Sequence, residues 1–302
     1  MLHRSLYVIA AAVGLIALAS CGGSGGPGYS VLSESELEQV RSDPRSVRLA
    51  AIGERSDTII VPSMHFRIQD SQQGGTDVVV NFYCDGDTCR TVTGEKISLT
   101  DLANAEIDAS VTSADLGARG EFDTIRMVQR ADASLFSGLG VTVTEDPKST
   151  THGLWGKHGY ASVAVIEVPY SANVEGITSR GRISMRSAFV SGDSSGSNPE
   201  GTGGATWSGV AEAVTRSFER RTGTATVAIP DLSRPNVNVE VLIGGRDIGS
   251  TRWSEIPLRD GNYQSGSRGR DFLEGNFHGP DHEETYGAFD TGAYVGSFGA
   301  KR

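Results

Sequence analysis

The stretch "FHGPDHEE" sets His278 and His282 four residues apart beside Asp281, Glu283 and Glu284. Imidazole and carboxylate at such spacing could ligate a metal, or an imidazole could hold haem iron. The same run also reads as the acidic turn of a β-hairpin, and that reading is preferred: no metal is expected, with His278 and His282 the residues to watch. A second set surrounds "HGLWGKHGY". Here His152, Trp155, Lys157, His158 and Tyr160 offer two imidazoles, two large aromatics and a cation within nine positions. They would line a ligand-contact surface or pack a core, and Trp155, Lys157, His158 and Tyr160 are the ligand-binding candidates. "GDSSG" (Gly192 to Gly196) has the look of a nucleophile loop but lacks the second glycine of that motif and any evident His/Asp context. No G-x-S-x-G, H-E-x-x-H or phosphate-binding loop occurs, so no catalytic residue is assigned, an enzyme is not expected and no cofactor is implied. Cys84 and Cys89 flank Asp85-Gly86, a strong hairpin-turn dipeptide, and a disulfide across that turn is expected outside the cytoplasm. Two thiols alone are a poor zinc site.

The compartment is read from the N-terminus. Residues 1–20 have a short basic start at Arg4 and the apolar run "LYVIAAAVGLIALAS", too short for a confident membrane span. "LASC" resembles the bacterial lipobox, in which cleavage precedes a cysteine that is then acylated; Cys21 is the lipidation candidate. An ordinary signal peptide with an incidental cysteine is the alternative. "CGGSGGPG" (residues 21–28) begins a flexible tether extending to residue 31. Gly22 gives no inner-membrane retention signal, so a lipid anchor in the outer membrane is expected, at the cell surface or on the periplasmic face. A formal charge of −10 without a Lys/Arg block excludes a nucleic-acid partner. The chain holds 39 glycines against 10 prolines, which favours tight turns and bulges over disorder.

The elements are mostly β. "LSESELEQVRSDP" is the exception: Ser33 and Glu36 form a capping box, Leu32 and Leu37 a hydrophobic staple, and Pro44 ends the short helix. Strand-like runs follow from "TIIVPSMHFRIQ" onward; residues 101–150 resist complete assignment. "GLWGKHGYASVAVIEV" reads as a hairpin turning near Lys157-His158-Gly159, and "GRISMRSAFVSGD" as the next strand. These make residues 32–190 a β-rich region. Residues 191–204 form a Gly/Ser-rich linker. From 205 to 302, eight apolar-faced segments recur: "TWSGVAEAV", "TGTATVAI", "NVNVEVLI", "RWSEIPL", "GNYQSG", "RDFLEGNFHG", "EETYGAF" and "GAYVGSFGAKR". Eight strands close into a barrel whose side chains fill its interior. The last strand, with Tyr294, Gly296, Phe298 and Ala300 inward, would pair with the first and remove both edges. Asn236, Asn238, Glu240, Asn276 and Thr222 on the outer faces argue against a lipid-embedded barrel.

At "GATWSGVAEAV", "EGNFHGPDHEETYGAFD" and "VGSFGAKR" the chain resembles the transferrin-binding-protein-like surface lipoproteins, in the C-terminal β-barrel domain of that family. "GLWGKHGYASVAV" resembles their preceding handle portion. His278 departs from the usual Tyr, Tyr286 stands where a Gly pair is common, and the length allows one handle-plus-barrel lobe where full receptors have two. The resemblance implies an eight-stranded antiparallel barrel on a surface lipoprotein, and a non-catalytic binding role toward a host or environmental protein or an iron-related (haem) cargo. The matched motifs build the barrel; none is a binding residue. The other reading is a periplasm-facing structural lipoprotein that captures nothing. Contacts are expected on the loops near Lys157-His158 and near residues 244–252.

Overall fold

The computed structural model describes residues 58–60, 64–70, 74–80, 82–85, 88–91, 96–98, 110–130, 142–174, 177–244 and 249–302. The anticipated helix at Ser33, the signal segment and Cys21 lie outside them. The described residues form strands and turns only. The N-terminal region supplies β1 Thr58–Ile60, β2 Met64–Asp70, β3 Gly74–Val80, β4 Phe82–Asp85, β5 Thr88–Thr91 and β6 Lys96–Ser98. It continues with β7 Ser110–Arg119, β8 Phe122–Arg130, β9 Thr142–Val143, β10 Lys148–Trp155, β11 Gly159–Val174 and β12 Ile177–Gly192. The barrel is built from β13 Ala205–Thr215, β14 Arg220–Ile229, β15 Asn236–Ile243 and β16 Ser250–Arg259. It is completed by β17 Asn262–Ser267, β18 Asp271–His278, β19 Glu284–Asp290 and β20 Tyr294–Lys301.

The eight C-terminal segments become β13 to β20 in order, each antiparallel to its neighbours, in a closed barrel. Closure follows the expected seam: Ser208 of β13 pairs with Lys301 of β20, and Thr215 with Tyr294. The interior is apolar, from Trp207, Val227, Val239 and Trp253 to Phe277, Phe289 and Phe298. The rings stay close by lying over glycines on the next strand. A methyl on Gly287 would come within 2.5 Å of the Phe298 ring, so that position admits only hydrogen. Removing a ring such as Phe298 would cost about 3–5 kcal/mol.

The second sheet runs β3-β2-β12-β11-β10-β8-β7, with β1 pairing β12 and β9 pairing β11. The hairpin expected around Lys157 is present as β10 and β11, its register anchored by Trp155 opposite Tyr160. Much of the segment 101–150 that resisted assignment is strand, as β7, β8, β9 and the start of β10. A separate small sheet orders β4-β5-β6 and sets Cys84 opposite Cys89.

The large sheet lies on the outside of the barrel, against β13, β19 and β20. Leu154, Ala161, Val163, Ala188 and Val190 from the sheet form one apolar layer with Val210, Val214, Tyr286, Ala288 and Val295 from the barrel. Alternation explains the division. On β20 the even residues Tyr294, Phe298 and Ala300 fill the barrel, while Val295 faces the sheet. The tail therefore does two jobs, of which the sequence had indicated only barrel closure. The segment 193–204 is pinned beneath: the Ser195 N–H donates to the Phe277 carbonyl, and the Gly261 N–H to Asn198 Oδ1, at 2.9 Å each.

Candidate functional site

At one end of the sheet–barrel junction, the turn between β10 and β11 docks on a single carboxylate. Glu284, first residue of β19, accepts the N–H groups of Lys157 and His158, each at 2.9 Å. Successive amides pointing at one anion make a backbone nest. The Tyr286 hydroxyl donates to Glu284 at 3.0 Å and accepts the Gly156 N–H at 2.8 Å. Lys301 Nζ stands 3.4 Å from the same carboxylate. Burial first, then the neighbouring Glu284 charge and its hydrogen bond, push the Tyr286 phenol well above its ordinary range, so it stays a donor. Gly156 makes the approach possible, since a Cβ there would fall 2.3 Å from Glu284 Oε1.

A second polar group closes the other end. Arg186 of β12, only 2% exposed, donates to the carbonyls of Ala293 at 2.8 Å, Val214 at 3.2 Å and Gly292 at 3.2 Å. His65 of β2 bridges it to the barrel, with Nδ1 3.3 Å from Arg186 Nη2 and Nε2 2.8 Å from Asp290 Oδ2. Because a guanidinium only donates, His65 Nδ1 accepts and its Nε2–H faces Asp290. Burial lowers the Arg186 pKa to about 10, against the pull of Asp290 and with added repulsion from Arg216 and Arg67. A third contact holds the tip of the β7–β8 hairpin: Arg119 reaches the Ala211 carbonyl and Glu212, whose buried carboxylate is also gripped by Arg220. Buried charges persist only where paired, and each of these is.

The third feature is on the free side of the barrel. An Asp260-Gly261 turn with both residues at positive φ joins β16 to β17. Only two register pairs follow it, Arg259 with Asn262 and Leu258 with Tyr263. One more rung would set Gln264 against Pro257, which has no N–H to offer the Gln264 carbonyl. Farther back β16 bends through a bulge opposite Asn238, where Glu255 adopts φ 55° and donates its N–H to Asn238 Oδ1 at 2.8 Å. The strands part, leaving a groove of about 370 Å³ lined by Pro257, Arg259, Asn262, Tyr263, Gln264 and Glu274. Glu274 is held by Arg268 at 2.7 Å, and its pKa is raised by burial despite that partner.

No family model and no curated protein matches the chain. Solved structures do. The chain is similar to a transferrin binding protein B double mutant from Haemophilus parasuis at 11% identity and a TM-score of 0.32, covering 79% of this chain and 44% of that one. It is similar to transferrin binding protein B from serogroup B Neisseria meningitidis at 11% identity and a TM-score of 0.28, covering 77% and 60%. A structure described as a surface lipoprotein matches at 10% identity and a TM-score of 0.35, covering 80% and 98%. The chain thus spans less than half the length of the Haemophilus parasuis protein.

The structure brings the residues singled out in the sequence to one junction, in different states. Trp155 and Tyr160 are buried, as is His158, whose Nε2 lies 3.8 Å from Glu283 Oε1; Lys157 is exposed at the tip of the turn. His278 is fully buried edge-on to the Tyr286 ring, with Nδ1 3.1 Å from the Asp193 carbonyl. His282 turns instead toward Ser197, its Nε2 2.9 Å from that carbonyl. Among the described residues no three His, Cys, Asp or Glu side chains gather to hold a metal ion. Residues 245–248 of the loop region near 244–252 lie outside the described residues. Sequence reasoning noticed Glu284 only as an acid of the turn beside His278 and His282, and missed Arg186, Asp290 and Glu212. For Glu212 a signal existed, a lone acid inside the apolar run "VAEAV".

Proposed function

We propose that the protein is an outer-membrane lipoprotein, held through acylated Cys21 and a glycine-rich tether, that works as a non-catalytic binding module for a protein or an iron-related (haem) cargo. The observation that carries this reading is the junction. Three sets of buried charged side chains and a shared apolar layer brace the sheet on the barrel, which suits a fixed platform for presenting loops. Its polar groups hold backbone rather than a reacting atom. Lys157, exposed on a turn whose backbone is locked by Glu284, is the contact residue this reading favours, and Cys84 with Cys89 would staple a neighbouring hairpin.

The test has two parts. Palmitate labelling of cells producing the wild type should mark the protein, and Cys21→Ala should abolish the label. Protease shaving of intact cells, read with an antibody to the barrel, should digest the barrel while a periplasmic control survives. Protection until the outer membrane is permeabilised would replace this reading with that of a periplasm-facing structural lipoprotein. A Soret band on haem titration, weakened by His→Ala changes, would select haem over protein as the cargo.

A further inference from the structure

We infer that the groove between β16 and β17 is a docking site for a short extended peptide segment of a partner protein, one carrying an acidic side chain. This deepens the binding-module reading and rests on it. Three features choose the occupant. Pro257 leaves the Gln264 carbonyl facing the groove with no donor from β16, and a peptide in extended conformation brings backbone N–H groups to such an edge. Among the described residues no other strand runs along that side of Gln264–Ser267. Arg259 stands exposed at the rim, and among the described residues no carboxylate pairs with it, whereas Glu274 on the wall is already committed to Arg268. A carboxylate on the incoming segment complements that guanidinium. The exposed Gln264 side chain supplies an amide donor and acceptor for the segment's remaining backbone groups, while that of Asn262 is spent on the Asp260 carbonyl and on Asn276.

A saccharide fits the same volume but not the same chemistry. Sugars are held largely on aromatic faces, and the one ring here belongs to Tyr263, which is 1% exposed and sends its hydroxyl inward to Thr285 at 2.8 Å. The bulge at Glu255 and the missing N–H at Pro257 act together: the first bends β16 away, and the second removes the bond that would pull it back. Both lie on β16, whose seam with β17 keeps two register pairs where each other seam of the barrel keeps six or more.

The full-length mature protein panned against a phage-displayed library of linear dodecapeptides should enrich acidic sequences. Pro257→Ala supplies the missing N–H and lets β16 pair with Gln264; it should weaken the enriched peptides at least about tenfold while leaving the thermal midpoint equal or higher. Arg259→Glu, at an exposed position, should weaken them comparably without touching the fold, and decides the matter alone if Pro257→Ala perturbs folding. The proposal is overturned if no peptide is enriched or if enriched peptides bind both variants like the wild type. It is also overturned if a glycan array gives the signal that Pro257→Ala removes. Shaving and panning fail independently: an accessible barrel that binds no peptide removes only the groove, and a protected barrel that binds peptides removes only the outward-facing reading.

Discussion

Strands β15 and β19 belong to the same barrel, yet β15 alternates buried and exposed side chains while every residue of β19 is buried. The difference lies in what each strand faces. Val237, Val239, Val241 and Ile243 of β15 fill the barrel, and Asn236 and Leu242 on the same strand meet water. On β19, Phe289 fills the barrel, while Tyr286, Ala288, Glu284 and Asp290 meet the second sheet or the residues that hold it. Two composition rules follow. A strand with one wet face reads as Val/Ile alternating with Asn, Thr and Glu. A strand with two dry faces needs small residues for close approach and charged residues whose partners are built into the neighbouring layer.

Three substitutions would break or sharpen that contrast. The largest effect is expected from Asp290→Ala, which leaves the buried Arg186 guanidinium without its counter-charge and the His65 Nε2–H without its acceptor. It should cost about 3–5 kcal/mol in urea unfolding, whereas Glu240→Ala on the wet face of β15 should stay within about 0.5 kcal/mol. Equal losses would mean that the second sheet does not depend on the barrel. Tyr286→Phe comes next: it leaves the Gly156 N–H only its longer bond, to the Gly159 carbonyl at 3.2 Å, and takes one hydrogen bond from Glu284, for about 1–3 kcal/mol. Its partner measurement is hydrogen exchange at Gly156, which should quicken in the variant; an unchanged rate would show that the turn is held by other means.

The smallest effect is a pH dependence. Burial first, and the charges of Arg220 and Arg126 after it, hold the pKa of His152 down at about 4 against an ordinary 6.5. The unfolded chain therefore binds more protons than the folded one between those values, and stability falls as pH drops from about 6.5 toward 4. The urea midpoint of the wild type should decline more steeply across that window than that of His152→Gln. Parallel curves would mean that its half-buried site does not hold the His152 pKa down.

The barrel was legible in the sequence because a β-barrel with an apolar interior writes itself locally. Each of its strands alternates over eight to eleven residues or carries the Gly–aromatic spacing that lets rings cross bare backbone, and "VGSFGAKR" shows both closure and spacing. The junction was not legible. Glu284 finds its partners 127 and 126 positions away, and Arg186 its carbonyl 107 positions away, distances over which no local pattern survives. An acid at the end of a strand, as at Glu284 or Asp290, looks the same in sequence whether it faces solvent or grips a turn. Trp155, His158 and Tyr160 were noticed for their chemistry and are spent on packing. Only Lys157 emerges from that group at the surface. The groove left a local trace, a proline one step before a strand's last apolar residue in "EIPLRDGN", but the lost rung is visible only once the register of β17 is known.

The pairing of β20 has a kinetic meaning. Its seam with β13 joins Ser208 to Lys301 and Thr215 to Tyr294. Contacts this distant form slowly, because the chain between them must be ordered before they repay its entropy. Until β20 docks, the barrel has an open seam and the second sheet lacks part of its floor. A destabilising change in β20 should therefore be felt first in yield, as chains lost while two unpaired sheet edges are still exposed.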